Sequence, residues 1–132
     1  MYTKISALFM ISNIIHSYIK QHDLLFFSWL SVYTTSLIYH YTKFNYSRSE
    51  RVKTPQYYID VTAVYLTYVL GFYEGYNNFI FLSLHLTIPF VYFVGYKKRI
   101  LIWCEDENQR ELYHSMFHYF VIIQSHMYLC SS

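Results

Sequence analysis

The sequence predicts an all-α fold: a polytopic transmembrane bundle of about five helices, forming one domain over residues 1–132. Three observations lead there. Apolar residues make up 55% of the chain and charged residues only 14%, an imbalance that points away from an ordinary soluble domain. The charges collect between long runs that have none: 24–42, 75–96 and 112–132 contain no Asp, Glu, Lys or Arg, and each is close to the ~20 residues a helix needs to cross a bilayer. Lys and Arg are also very unevenly shared between the connections. Helix is the only regular structure that suits these runs, because hydrocarbon requires every backbone group to be bonded internally and the runs exceed a barrel strand.

The helices read as 5–19, 24–42, 57–74, 76–96 and 112–130. The first is the weakest, being short and carrying Ser6, Ser12, Asn13, His16 and Ser17; if it does not span, the bundle has four crossings. The second is uninterrupted. The third begins just after Pro55, where a helix start tolerates proline, and is charge-free from 57 to 73 apart from Asp60. Pro89 lies inside the fourth and is expected to kink it, freeing a carbonyl one turn earlier. The fifth follows the acidic stretch "EDENQRE". Mean hydropathy, only +0.16, understates the apolar character because 17 tyrosines are scored as polar.

With the N-terminus on one side, Lys4, the loop carrying Lys43, Arg48, Arg51 and Lys53, and the loop carrying Lys97, Lys98, Arg99 and Arg110 all share that side. Only Lys20 falls on the other. The bias makes the basic side cytoplasmic. It places Cys104 and Cys130 near opposite faces, too far apart for a disulfide, and leaves the "NYS" sequon at 45–47 bare. A net charge of +2 with no basic stripe on a soluble face excludes a nucleic-acid partner; the partner to expect is the lipid bilayer.

Polar groups then meet at one depth. Ser36 and His40, four apart in "SLIYH", share a face near the cytoplasmic end of the second helix. Asp60 lies about one turn into the third helix, and His114 and His118, four apart in "HSMFH", enter the fifth from the same side. Three imidazoles are a ligand set for tetrahedral zinc with one open position. A neighbouring carboxylate can orient a water there and take its proton, and Ser36 can bond the same water or a developing oxyanion. Asp60 in a membrane helix costs at least ~2.5 kcal/mol unless it is partnered. His16, His85 and His126 have no such meeting point and read as bundle hydrogen-bonding groups, while Glu74 reads as solvated among the headgroups.

At these residues the chain resembles the seven-helix CREST superfamily, which joins alkaline ceramidases, adiponectin-type receptors and hemolysin III proteins. The family pattern is a Ser and a His separated by three residues at the end of the second helix, an Asp starting the third, and H-x3-H on the last. Here "SLIYHYTKF", "YYIDVTAVYL" and "YHSMFHYF" match in that order. The resemblance implies His40, His114 and His118 as zinc ligands, Asp60 and Ser36 as catalytic helpers, and hydrolysis of lipid amides such as ceramide. With room for about five helices rather than seven, this is a shortened form, in which a homo- or hetero-oligomer completes the bundle. The alternative is a non-catalytic structural subunit of a larger membrane assembly, its aromatic faces packed on neighbours.

Overall fold

The structure, a computed structural model, describes residues 2–42, 50 and 53–131. Among them all regular structure is helical: α1 (Tyr2–Phe9), α2 (Ile11–Ile19), α3 (Asp23–Thr42), α4 (Pro55–Gly75), α5 (Phe79–Lys98), a single 3-10 turn at Leu101–Trp103, and α6 (Glu107–Ser131). The five expected helices are therefore present, the first as two short pieces interrupted at Met10. The sequon at Asn45, and Lys43, Arg48 and Arg51 of the first basic loop, lie outside the described residues.

Local chemistry sets the ends. Thr54 caps α4 by accepting from the Tyr57 N–H, and Pro55 takes the first helical position, where its missing donor does no harm. Asn78 caps α5 by accepting from the Phe81 N–H at 3.0 Å, so that helix starts three residues later than the charge pattern suggests. At the other end α6 begins at Glu107 and takes the acidic stretch into its first turns, where negative charge suits the helix N-terminus. The turn from α2 to α3 is closed by the N–H groups of Gln21 and His22 bonding the carbonyls of Tyr18 and Ser17, with Gln21 in the left-handed region at φ 54°.

Side-chain pairings fix an up-and-down topology. Thr3 meets Glu111, Ser6 meets His118 and Ser12 meets His126, so α1 and α2 run parallel to α6. Trp29 meets Ser125 and His40 meets His114, so α3 runs against it. Ser36 meets Asp60 and His22 meets Glu74, so α4 turns back along α3. His85 meets Gln124 and Asn78 meets Ser131, so α5 runs against α6. The starts of α1, α4 and α6 and the ends of α3 and α5 consequently share one end. Lys4, Lys53, Lys97, Lys98, Arg99 and Arg110 collect there, and Lys20 sits at the other.

The core lies between α1–α2, α3 and α6. Met10, Ile14, Leu25, Trp29, Val32, Ile122 and Leu129 are buried together, with Phe26, Tyr33, Ala63, Leu70 and Tyr119 packed around them. Two polar side chains inside it bond across helices: the Trp29 indole donates to Ser125 Oγ at 2.8 Å and the Asn13 amide to the Ile122 carbonyl at 3.1 Å. The very residues that make 5–19 a poor span, Ser6, Asn13 and Ser17, are its fully buried face, while Ile5, Ile11, Ile15 and Ile19 point outward.

Pro89 does not end α5. Its ring deprives the His85 carbonyl of the donor one turn on, and the Tyr68 hydroxyl of α4 supplies another at 3.2 Å. Close approach of the two helices makes this contact: a Cβ on Gly71 would stand 2.6 Å from the His85 ring, and one on Gly75 would collide with Phe81. Among the described residues one segment, Phe79–Trp103, is long and apolar enough to cross a membrane by length and composition, against the four or five crossings the charge pattern suggests.

Candidate metal centre

The histidines of "SLIYH" and "HSMFH" converge. One ligand nitrogen from each of His40, His114 and His118 lies within 4.8 Å of the others. The ring centroids are 5.7 Å apart for His40–His114, 5.6 Å for His40–His118 and 4.6 Å for His114–His118. Antiparallel packing of α3 on α6 brings residue 40 to the level of 114 and 118, and the four-residue step stacks the latter two on one face. His40 and His118 are buried and His114 is half-buried. Tyr39 covers His40 with its ring 4.8 Å away.

This donor set fits a divalent metal. Ligand atoms on a tetrahedral zinc ion at ~2.0–2.1 Å stand about 3.3 Å from one another, so closing the set asks for side-chain movements of about an ångström. Three neutral nitrogens with no carboxylate among them favour zinc and the later first-row metals over magnesium or calcium.

Asp60 is buried one turn into α4 and finds its partners on α3. The Ser36 hydroxyl donates to Asp60 Oδ1 at 2.7 Å, and the Thr35 hydroxyl contacts the same oxygen at 3.0 Å. Oδ2 has no hydrogen bond to the described residues. Ser36 has a single proton, and in this structure it is directed at the carboxylate. Ser36 and His40 are both buried on one face of α3, a turn apart, which sets the carboxylate beside the level of the imidazoles.

Beyond the residues that spacing singles out, Ser6 of α1 enters the site. Its Oγ lies 2.8 Å from His118 Nδ1 and 3.1 Å from the Thr3 carbonyl, and the residue is wholly buried. The sequence carries a signal for it, a hydroxyl within an apolar run at the depth of the last helix's histidines. That signal becomes readable once the first and last runs are known to be neighbours.

His16 and His126 are bundle hydrogen-bonding groups as expected, but they share a meeting point of their own, and the expectation for Glu74 needs correction. The Nδ1 atoms of His16 and His126 are 2.7 Å apart and the rings stack at 4.9 Å, because α2 runs parallel to α6 and both residues stand at similar depth. Ser12 Oγ contacts His126 Nε2 at 2.9 Å and donates to the Phe9 carbonyl at 2.7 Å. Glu74 is held within the structure, its carboxylate 3.2 Å from His22 Nε2 and within 3.4 Å of the Tyr128 hydroxyl, because the α2–α3 turn delivers His22 to the same end. His85 is the bundle group expected of it. Its Nε2–H donates to the Tyr68 carbonyl at 2.8 Å, its Nδ1 accepts from the Gln124 amide at 3.1 Å, and the Tyr68 ring stacks on it at 4.2 Å.

Comparison of the chain with protein-family models, curated proteins and solved structures gives no match. The site's chemistry therefore has to speak through its own geometry.

Proposed function

We propose that the chain is a multi-pass membrane protein in which His40, His114 and His118 hold a zinc ion near the cytoplasmic face, and that it hydrolyses lipid amides of the ceramide class. The observation that carries this reading is the gathering of three imidazoles from two helices into one ligand set. Multiple crossings are supported by the large apolar side chains that point outward along every helix, among them Tyr65, Leu66, Phe79, Ile80, Phe90 and Phe93. The collection of described basic residues at one end supports the orientation. The lipid amide substrate comes from the resemblance to the CREST superfamily.

Zinc, when bound, supplies a Lewis acid and a nucleophile generated at neutral pH. The chain's own groups do the rest. Ser36 and Thr35 fix one carboxylate oxygen of Asp60, which leaves Oδ2 to accept a proton as general base. Ser36 thereby orients the base. The alternative, a non-catalytic subunit of a larger assembly, draws on the same exposed aromatic faces, which suit protein neighbours as well as lipid.

Metal analysis of purified protein decides between them, with about one zinc per chain expected. Protein free of stoichiometric metal after purification without chelators would end the hydrolase reading. An impermeant thiol reagent applied to intact cells should miss Cys104, and labelling there would reverse the orientation.

A further inference from the structure

The contact between Ser6 and His118 joins a hydroxyl with one proton to two groups that could take it. If Ser6 donates to His118 Nδ1, the contact with the Thr3 carbonyl at 3.1 Å brings no hydrogen bond. If Ser6 donates to that carbonyl, its oxygen accepts the His118 Nδ1–H at 2.8 Å, and both contacts are hydrogen bonds. The second arrangement makes one bond more, in a place fully shut off from solvent where water cannot replace a missing one.

The other serine of this interface follows the same logic independently. Ser12 donates to the Phe9 carbonyl at 2.7 Å and so accepts from His126 Nε2–H at 2.9 Å, which leaves His126 Nδ1 bare. A bare Nδ1 is what the 2.7 Å contact with His16 needs, because a neutral His16 can then donate its own Nδ1–H. Every donor in that chain has an acceptor.

We propose that Ser6 is a positioning residue for the metal centre: its hydroxyl accepts the Nδ1–H of His118, fixes that tautomer, and leaves Nε2 as the ligating nitrogen. A histidine that ligates through one ring nitrogen is oriented by the hydrogen bond its other nitrogen makes, and such partners set metal affinity. Ser6 is well suited to it, because Thr3 on the preceding turn holds the hydroxyl proton in turn. The metal part of this inference rests on the zinc reading above, while the tautomer belongs to the metal-free protein.

The experiment uses full-length protein in detergent micelles. Nitrogen-15 spectra of the histidine side chains of metal-free protein, with His118→Ala to assign the signal, should show His118 as the Nδ1–H tautomer. Zinc affinity, read by competition with a chromogenic chelator, should fall about 10- to 100-fold in Ser6→Ala. It should recover in Ser6→Thr, which keeps the hydroxyl, and should stay at the wild-type value in Ser12→Ala. An Nε2–H tautomer of His118 in wild type overturns the proposal whether or not the variants fold. So does a folded Ser6→Ala with wild-type affinity. An Nδ1–H tautomer in a wild-type protein that takes up no zinc leaves the tautomer standing, and overturns the metal reading and the positioning role built on it.

Discussion

The two serine–histidine contacts along the seam of α1, α2 and α6 are built alike and present opposite ring atoms. Near the basic end, Ser6 engages His118 through Nδ1; further along, Ser12 engages His126 through Nε2. Each serine also donates to the carbonyl three residues before it. What differs is what the histidine turns toward. His118 faces two more imidazoles, His40 from α3 and His114 from α6, whereas His126 meets His16 alone, at a distance fit for a hydrogen bond. The same backbone arrangement thus yields a three-nitrogen ligand set at one end and a self-satisfied pair at the other. What sets His118 apart from His126 is the number of imidazoles that converge on it, and its fuller burial goes with that.

The largest effect expected from this contrast is on metal content. His118→Ala should remove zinc from the purified protein, while His126→Ala should leave it at about one per chain. Elemental analysis of the two variants side by side checks this. Zinc retained in His118→Ala, or lost in His126→Ala, would break the distinction between the two ends.

The next effect is on turnover. Asp60→Asn keeps the size of the side chain and an oxygen for Ser36, and removes the base. It should leave zinc content and the thermal melt nearly unchanged while reducing hydrolysis of a ceramide panel by ~10²-fold or more. If Asp60 serves the bundle only, the melt falls and zinc-loaded wild type shows no turnover.

Much of this geometry was readable in the sequence, and the part that was not has a single cause. Charge-free runs and basic loops locate the helices and the end at which Ser36, His40, Asp60, His114 and His118 gather, because those signals run along the chain. Which helix faces which is a property between chains of residues, and no spacing states it. Ser6 and the His16–His126 pair were therefore passed over, although residues 16 and 126 stand at similar depth in the first and last runs. Helix ends moved for local reasons: Asn78 and Thr54 act through cap hydrogen bonds that a count of charges does not register. Pro89 was legible in its consequence, a carbonyl released at His85, but not in the Tyr68 hydroxyl that takes it up.

A smaller effect separates structure from function at the second pair. Ser12→Ala removes the acceptor of the His126 Nε2–H in a half-buried position, at a cost of about 1 kcal/mol. Denaturation in detergent should register that loss, and zinc content should not change. A Ser12→Ala protein that loses its zinc would mean the two ends are coupled.

The smallest effect is expected at the far end, where Glu74 faces His22 and Tyr128. The carboxylate and imidazole are 3.2 Å apart, with side chains 19% and 22% exposed, so solvent still screens the pair. The Tyr128 hydroxyl also lies 3.2 Å from the Glu74 carbonyl, an acceptor that a change of the Glu74 side chain leaves in place. Glu74→Gln keeps an oxygen that can accept from both neighbours and removes only the charge. Stability should then fall by less than about 1 kcal/mol, the range of a partly exposed polar contact. Metal content and turnover should match wild type. A Glu74→Gln protein that folds normally yet loses hydrolysis would place catalytic chemistry at this end, and would overturn the assignment of the reaction to the His40, His114 and His118 cluster.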